Sequence, residues 1–274
     1  MNEIGSYDLH SLEVSNSAFA APGFQHVTIH TKNLRGRGDL SVYAASATAH
    51  DAPIILLLHG VRGSHWAWSL SGGAHESLNL LRRNEGLADF VLVMPSDGLV
   101  DIGSCYLDGP KGAFETWIMS DVLSAVHSVS PQVSEASNLY LCGLSMGGYG
   151  ALRLGAKHAG KVRGISAHSA VTDISDFALF MDTDPLDFLS GPTRDADIIY
   201  WLEQNKDTLP PIRLDCGTQD RLISSNRLFH TTLDARGIAH AYEEFQGGHN
   251  WTYWRENFYR SLRFFDNLEK DLGE

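Results

Sequence analysis

Three continuous aliphatic runs punctuate the chain: Ile54-Ile55-Leu56-Leu57-Leu58, Phe90-Val91-Leu92-Val93-Met94 and Leu139-Tyr140-Leu141-Cys142. Runs of this length without polar alternation are what central parallel strands need, because such strands are covered on both faces. Shorter apolar stretches at 162–167, 212–217 and 240–245 continue the series. Between them apolar positions recur at spacings of three and four, which predicts helices after Trp68 to about residue 83, over 114–129, directly after Ser145, near 195–204, over 223–236 and from Trp251 to about residue 268. Further upstream, alternation at Val27 and Ile29 breaks at Asn33-Leu34-Arg35-Gly36-Arg37-Gly38 and resumes at Leu40, Val42 and Tyr43, the pattern of a β-hairpin. Leu9, Leu12 and Val14 suggest an added edge strand. One segment, 171–192, has no clean period yet carries Phe177, Phe180, Met181, Pro185 and Phe188, and is read as a short cap inserted over a site.

Strands alternating with helices predict an α/β fold: a mainly parallel central sheet with right-handed crossovers and helices on both faces. In such sheets ligands bind at the carboxyl ends of the strands. A chain of 274 residues with 43% hydrophobic content is long enough for one large core, so 1–274 reads as a single domain, with 1–22 as an extra N-terminal segment. A net charge of -12 and a pI near 5.5 argue against nucleic acid or an anionic membrane as partner, and leave a small molecule. Residues 1–10 lack a basic-then-apolar signal pattern and no apolar run is long enough to span a bilayer, so a cytoplasmic location is expected. Homo-oligomerisation is left open. Cys105, Cys142 and Cys216 are odd in number and far apart, as buried, reduced thiols would be. No Cys-x-x-Cys spacing is present, and neither a metal nor a cofactor is expected.

The third aliphatic run leads into Gly143-Leu144-Ser145-Met146-Gly147, with a small-residue helix pattern immediately after. Strand, Gly-x-Ser-x-Gly, helix is the layout of a nucleophile elbow, in which glycines let two backbones pass closely around a strained serine. The pentapeptide by itself carries little weight, since a chain rich in Gly and Ser produces it by chance; the setting carries the argument. A serine hydroxyl needs an adjacent base, and the base needs a third group to hold its tautomer. Asp220, just after the 212–217 strand, and His249, after two glycines, follow Ser145 in the order Ser, Asp, His. Asp215, Asp173 and Asp97 compete for the acid role; Asp215 should lie inside a strand, and Asp173 comes early in the chain. The backbone N–H of Met146 and one from the His59-Gly60-Val61 loop, Val61, are the expected oxyanion donors. Arg62 is a candidate contact for a polar or anionic part of a substrate, against the alternative of a surface ion pair. Trp66, Trp68, Phe177, Phe180 and Met181 are candidate pocket residues, against the alternative of plain core.

Four motifs now stand in order: Leu58-His59-Gly60-x-x-Gly63 with Trp68, Gly143-Leu144-Ser145-Met146-Gly147-Gly148-Tyr149-Gly150-Ala151, Gly217-Thr218-x-Asp220, and Gly247-Gly248-His249-x-Trp251-x-Tyr253-Trp254. Together they resemble the esterase family that groups esterase D and S-formylglutathione hydrolases with bacterial tributyrin, feruloyl and acetyl-xylan esterases and the antigen 85 mycolyltransferases. The resemblance runs from about residue 24 to the C-terminus. It implies an α/β-hydrolase fold, a Ser145-Asp220-His249 triad and an oxyanion hole at Val61 and Met146. Arg62 departs from the small or polar residue that many relatives carry there, and the first twenty or so residues match no part of the pattern. The expected activity is metal-free hydrolysis of short-chain or aryl carboxylic esters through an acyl-enzyme. S-formylglutathione hydrolysis and acyl transfer are the enzymatic alternatives, and a catalytically dead binding module is the non-enzymatic one.

Overall fold

The computed structural model describes residues 9–46 and 48–271, so the first eight residues of the 1–10 segment read above lie outside it. Strands β1 (Leu9–Val14), β2 (Phe24–Thr31), β3 (Arg37–Ala44), β4 (Ile54–Leu58), β5 (Val91–Pro95), β8 (Leu139–Leu144), β9 (Gly164–His168), β10 (Ile212–Gly217) and β11 (Ala241–Phe245) form one sheet in the order β1-β2-β3-β5-β4-β8-β9-β10-β11. A separate two-stranded hairpin pairs β6 (Asp108–Gly109) with β7 (Gly112–Ala113). From β5 to β11 all neighbours are parallel, whereas β1, β2 and β3 add an antiparallel edge. The aliphatic runs are the strands at the centre; β11 lies at an edge and is only half-buried, which is why its sequence carries Glu243 and Glu244.

Strand periodicity divides the core between two faces. On β4, Ile54, Leu56 and Leu58 belong to one apolar cluster and Ile55 and Leu57 to the other. Helices α1 (Ala74–Glu85) and α7 (Trp251–Asp271) cover the second face through Leu78, Phe258, Leu262 and Phe265. The first face is covered by α3 (Leu123–Val129), α4 (Met146–Lys157), α5 (Ile198–Gln204) and α6 (Ile223–Ala235). The helix predicted over 114–129 is compound: α2 (Phe114–Thr116) passes through a π-helical stretch, Trp117–Val122, into α3. That stretch delivers the Trp117 indole N–H to Ser96 O at 2.8 Å and buries Asp121 beneath the Thr31 hydroxyl at 2.7 Å.

The predicted cap over 171–192 holds two short 3-10 turns, Ile174–Leu179 and Pro185–Phe188, and a third, Thr193–Ala196, follows just beyond it. Phe177 and Phe188 are fully buried, and Phe177 meets Tyr149 edge-on at 5.3 Å. Aromatic side chains without a period here anchor a strap, and only Phe180 turns toward the cleft described below.

The elbow helix is fixed at its far end by charge. Arg153 on α4, 1% exposed, donates from Nη1 and Nη2 to Glu115 Oε2 at 2.8 and 2.6 Å, and His158 Nε2 lies 2.9 Å from Oε1. Burial pushes the Glu115 carboxyl up, but the His158 and Lys157 hydrogen bonds and the Arg153 charge outweigh it and hold the group at about 2. A depressed carboxylate contributes stability at pH values above its ordinary range and loses that contribution as pH falls toward the depressed value. Glu115→Ala leaves Arg153 buried and unpaired, which should cost about 3–5 kcal/mol at neutral pH. In thermal melts the midpoint should fall by roughly ten degrees at pH 7, and the gap to the wild type should close between pH 5 and 2. Equal midpoints at pH 7 would refute a stabilising role.

Candidate active site

Strand β8 ends at Leu144 and is followed by Ser145, whose φ of 55° and ψ of -120° place it in a region that non-glycine residues seldom occupy. The crossing of strand and helix needs bare backbone on both sides. A Cβ on Gly143 would lie 2.0 Å from Gly147 O, and one on Gly147 would lie 2.0 Å from Leu58 O. The strained residue is tied to its neighbours: Ser145 N–H donates to His168 O at 3.0 Å, while Ser145 O accepts from Tyr149 N and Val171 N, both at 3.1 Å.

Three side chains from three strand ends meet here. His249 Nε2 lies 3.0 Å from Ser145 Oγ, and its Nδ1 lies 3.0 and 2.9 Å from the two carboxylate oxygens of Asp220. Asp220 is buried on a tight turn after β10, closed by Asp220 N–H to Gly217 O at 2.9 Å, and its Oδ1 also accepts from Leu222 N at 2.9 Å. The His249 ring is wedged between Phe180 and Trp254, each at a centroid distance of 5.0 Å. An imidazole so held can take a proton from the hydroxyl on one nitrogen while the carboxylate fixes the other as donor.

The competing acids are engaged elsewhere. Asp215, fully buried in β10, binds Arg213 at 2.6 Å, His168 at 2.8 Å and the Tyr253 hydroxyl at 2.8 Å. Burial opposes its ionisation, but His168 and Arg213 prevail and hold it at about 2. Asp173 caps a 3-10 turn by accepting from Ser175 N, and Asp97 accepts from Ser104 N at 2.7 Å.

Met146 is the first residue of α4, so its N–H is one of those a helix start leaves without an intrahelical acceptor. Across the cleft, Arg62 N–H donates to Ile102 O at 2.7 Å and Gly63 N–H to Gly60 O at 3.1 Å, which shapes the loop that presents Val61 beside Ser145. Tyr106, a residue the sequence reading left without a role, supports this loop from below through its hydroxyl to His59 O at 2.9 Å. Arg153 Nη2 in turn donates to Tyr106 O at 3.1 Å.

Ser145 and His249 open into a cleft of about 360 Å³ whose walls include Val61, Arg62, Trp66 and Phe180. Three predicted pocket residues are absent from it. Trp68 is 1% exposed, donates its indole N–H to Leu58 O at 3.0 Å and packs on Phe258, so it belongs to the core. Phe177 is core as well, and Met181 is buried beside Cys105. In their place stand Arg221, Trp251 and Trp254. The position of Arg221 next to Asp220 is the available signal; the two tryptophans stand in the motif that follows His249, at a helical spacing that points to packing on the sheet. The three cysteines are free and buried, and burial pushes Cys142 up to about 12 and Cys105 and Cys216 also upward, so all three are poor nucleophiles. Away from the cleft, His230, Asp234 and His240 bring donor atoms within 4.8 Å of one another, the two imidazoles being hydrogen-bonded at 2.7 Å.

The mainly parallel sheet, the antiparallel hairpin at its edge and the strained serine at the carboxyl end of β8 define an α/β-hydrolase. Within that class the chain belongs to an esterase family, whose model, described as "Putative esterase", matches residues 34–265, and it is a carboxylic ester hydrolase. It is 30% identical over 223 residues to an acetyl esterase of Caldicellulosiruptor saccharolyticus, covering 74% of this chain and 79% of that one. Among solved structures it is similar to a ferulic acid esterase, with a TM-score of 0.78 and 22% identity over 89% of this chain and 98% of the other. An S-formylglutathione hydrolase of Staphylococcus aureus superposes with a TM-score of 0.73 and 18% identity over 93% and 98% of the two chains. No helix among the described residues is long and apolar enough to cross a membrane.

Proposed function

We propose that the protein is a serine esterase that cleaves short-chain or aryl carboxylic esters through Ser145, His249 and Asp220. The observation that carries this reading is the unbroken line from Ser145 Oγ to His249 Nε2 at 3.0 Å and from His249 Nδ1 to Asp220 at 2.9 Å. Ser145 Oγ attacks the ester carbonyl as His249 takes its proton, and the oxyanion forms against the N–H groups of Val61 and Met146. The imidazolium, stabilised by Asp220, then protonates the departing alcohol. Water repeats the sequence on the acyl-enzyme and releases the acid. The names of the acetyl esterase and the ferulic acid esterase support a short acyl group and an aromatic acid half respectively, and a 360 Å³ cleft is at the small end of ligand sites.

A fluorophosphonate probe should label the wild-type protein at Ser145, located by peptide mass spectrometry, and absence of label would favour an inactive hydrolase fold. Across p-nitrophenyl esters of increasing acyl length, kcat/KM should peak at short chains. A maximum at long chains would overturn the short-chain reading.

A further inference from the structure

Two arginines face the cleft, and among the described residues no aspartate or glutamate lines it. Both meet at Phe180: Arg62 Nη2 donates to Phe180 O at 3.2 Å, and the Arg221 guanidinium stands 5.3 Å from the Phe180 ring centre. Arg213 and Arg153 lie against carboxylates, but among the described residues no carboxylate pairs with Arg62 or Arg221. This happens in a chain with 33 acidic residues against 21 basic ones, where a carboxylate is the easiest partner to supply. Two guanidiniums on one cleft, both touching Phe180 and both without a counter-charge, lie beside the reactive serine. Resting on the esterase reading, we infer that the substrate is an ester carrying a negatively charged oxyanion group, such as a carboxylate, which Arg62 and Arg221 hold.

The chemistry of the donors and the shape of the walls agree with this. A guanidinium offers paired N–H donors that match a carboxylate, and its contacts to an anion are stronger than those between neutral groups. Trp66 and Trp251 supply an apolar wall, so the cleft suits a carbon skeleton, aromatic or aliphatic, with a charged end. Phe180 also packs on the His249 ring at 5.0 Å, so the residue that both arginines touch lies against the group that protonates the departing alcohol. The charged group therefore belongs to the alcohol half of the ester.

The test compares matched charged and neutral esters on wild type, Arg62→Met, Arg221→Met and Arg221→Lys, each checked for fold by circular dichroism. For the alcohol half the pair is 4-acetoxybenzoate and 4-acetoxybenzamide; for the acyl half it is mono-p-nitrophenyl succinate and p-nitrophenyl butyrate. Intrinsic reactivity cancels when the charged-to-neutral ratio of kcat/KM in a variant is divided by that of the wild type. Each methionine variant should lower the ratio for the alcohol-half pair by about tenfold or more, mainly through KM, and Arg221→Lys should restore part of it. A fall confined to the acyl-half pair keeps the anion subsite and moves the charge to the acid. Ratios unmoved within about twofold in both methionine variants overturn the inference while leaving the esterase intact. Failure of the wild type on the neutral esters as well strikes the esterase reading itself.

Discussion

Ser145→Ala should keep the far-UV circular dichroism of the wild type and lose hydrolysis of p-nitrophenyl acetate by about six orders of magnitude in kcat. Nothing in the packing depends on the hydroxyl. The bonds that fix this residue run through its backbone to His168, Tyr149 and Val171, and alanine keeps all of them together with the φ of 55°. What disappears is the atom 3.0 Å from His249 Nε2, and with it any route to an acyl-enzyme. Turnover that survived the substitution would mean that another group attacks the ester, and the buried cysteines offer no such group.

Asp220→Asn should lower kcat by about four orders of magnitude while leaving the fold unaltered. Asparagine has nearly the same shape and can still accept from Leu222 N, which is 2.9 Å from Oδ1. Its amide nitrogen, however, would offer a proton to His249 Nδ1 where the carboxylate now accepts one. The imidazole would then carry its hydrogen on Nε2, facing Ser145 Oγ, and would have no lone pair with which to take the serine proton. Steady-state kinetics decide the matter. A loss of tenfold or less would show that another acid orients His249 and would remove Asp220 from its role.

How much of this could be read beforehand depends on the physical origin of each signal. Strands β4, β5 and β8 were legible because burial on both faces demands an uninterrupted aliphatic run. The meeting of Ser145, Asp220 and His249 was legible because each follows a strand, and parallel strands present their ends on one side of a sheet. Aromatic residues in aperiodic chain were a different matter. Phe177 and Phe180 stand three apart in one 3-10 segment and its end, yet one is core and the other faces the cleft. Trp66 and Trp68 part in the same way at the π-helical turn Ala67–Ser71, which no hydrophobic period announces. The arginine pair was only half visible, because whether a charge is neutralised depends on residues far away in sequence.

The bonds around Ser145 also bear on how the protein loses activity with heat. Its N–H is held by β9 and its carbonyl by α4 and by Val171, so the strained turn has no cheap local way to relax. Ser145 can reach an unstrained conformation only if β8 and β9 separate, and those strands lie within the parallel core of the sheet. The nucleophile therefore shares the cooperative unit of the core, and heat inactivation is coupled to melting of the core itself.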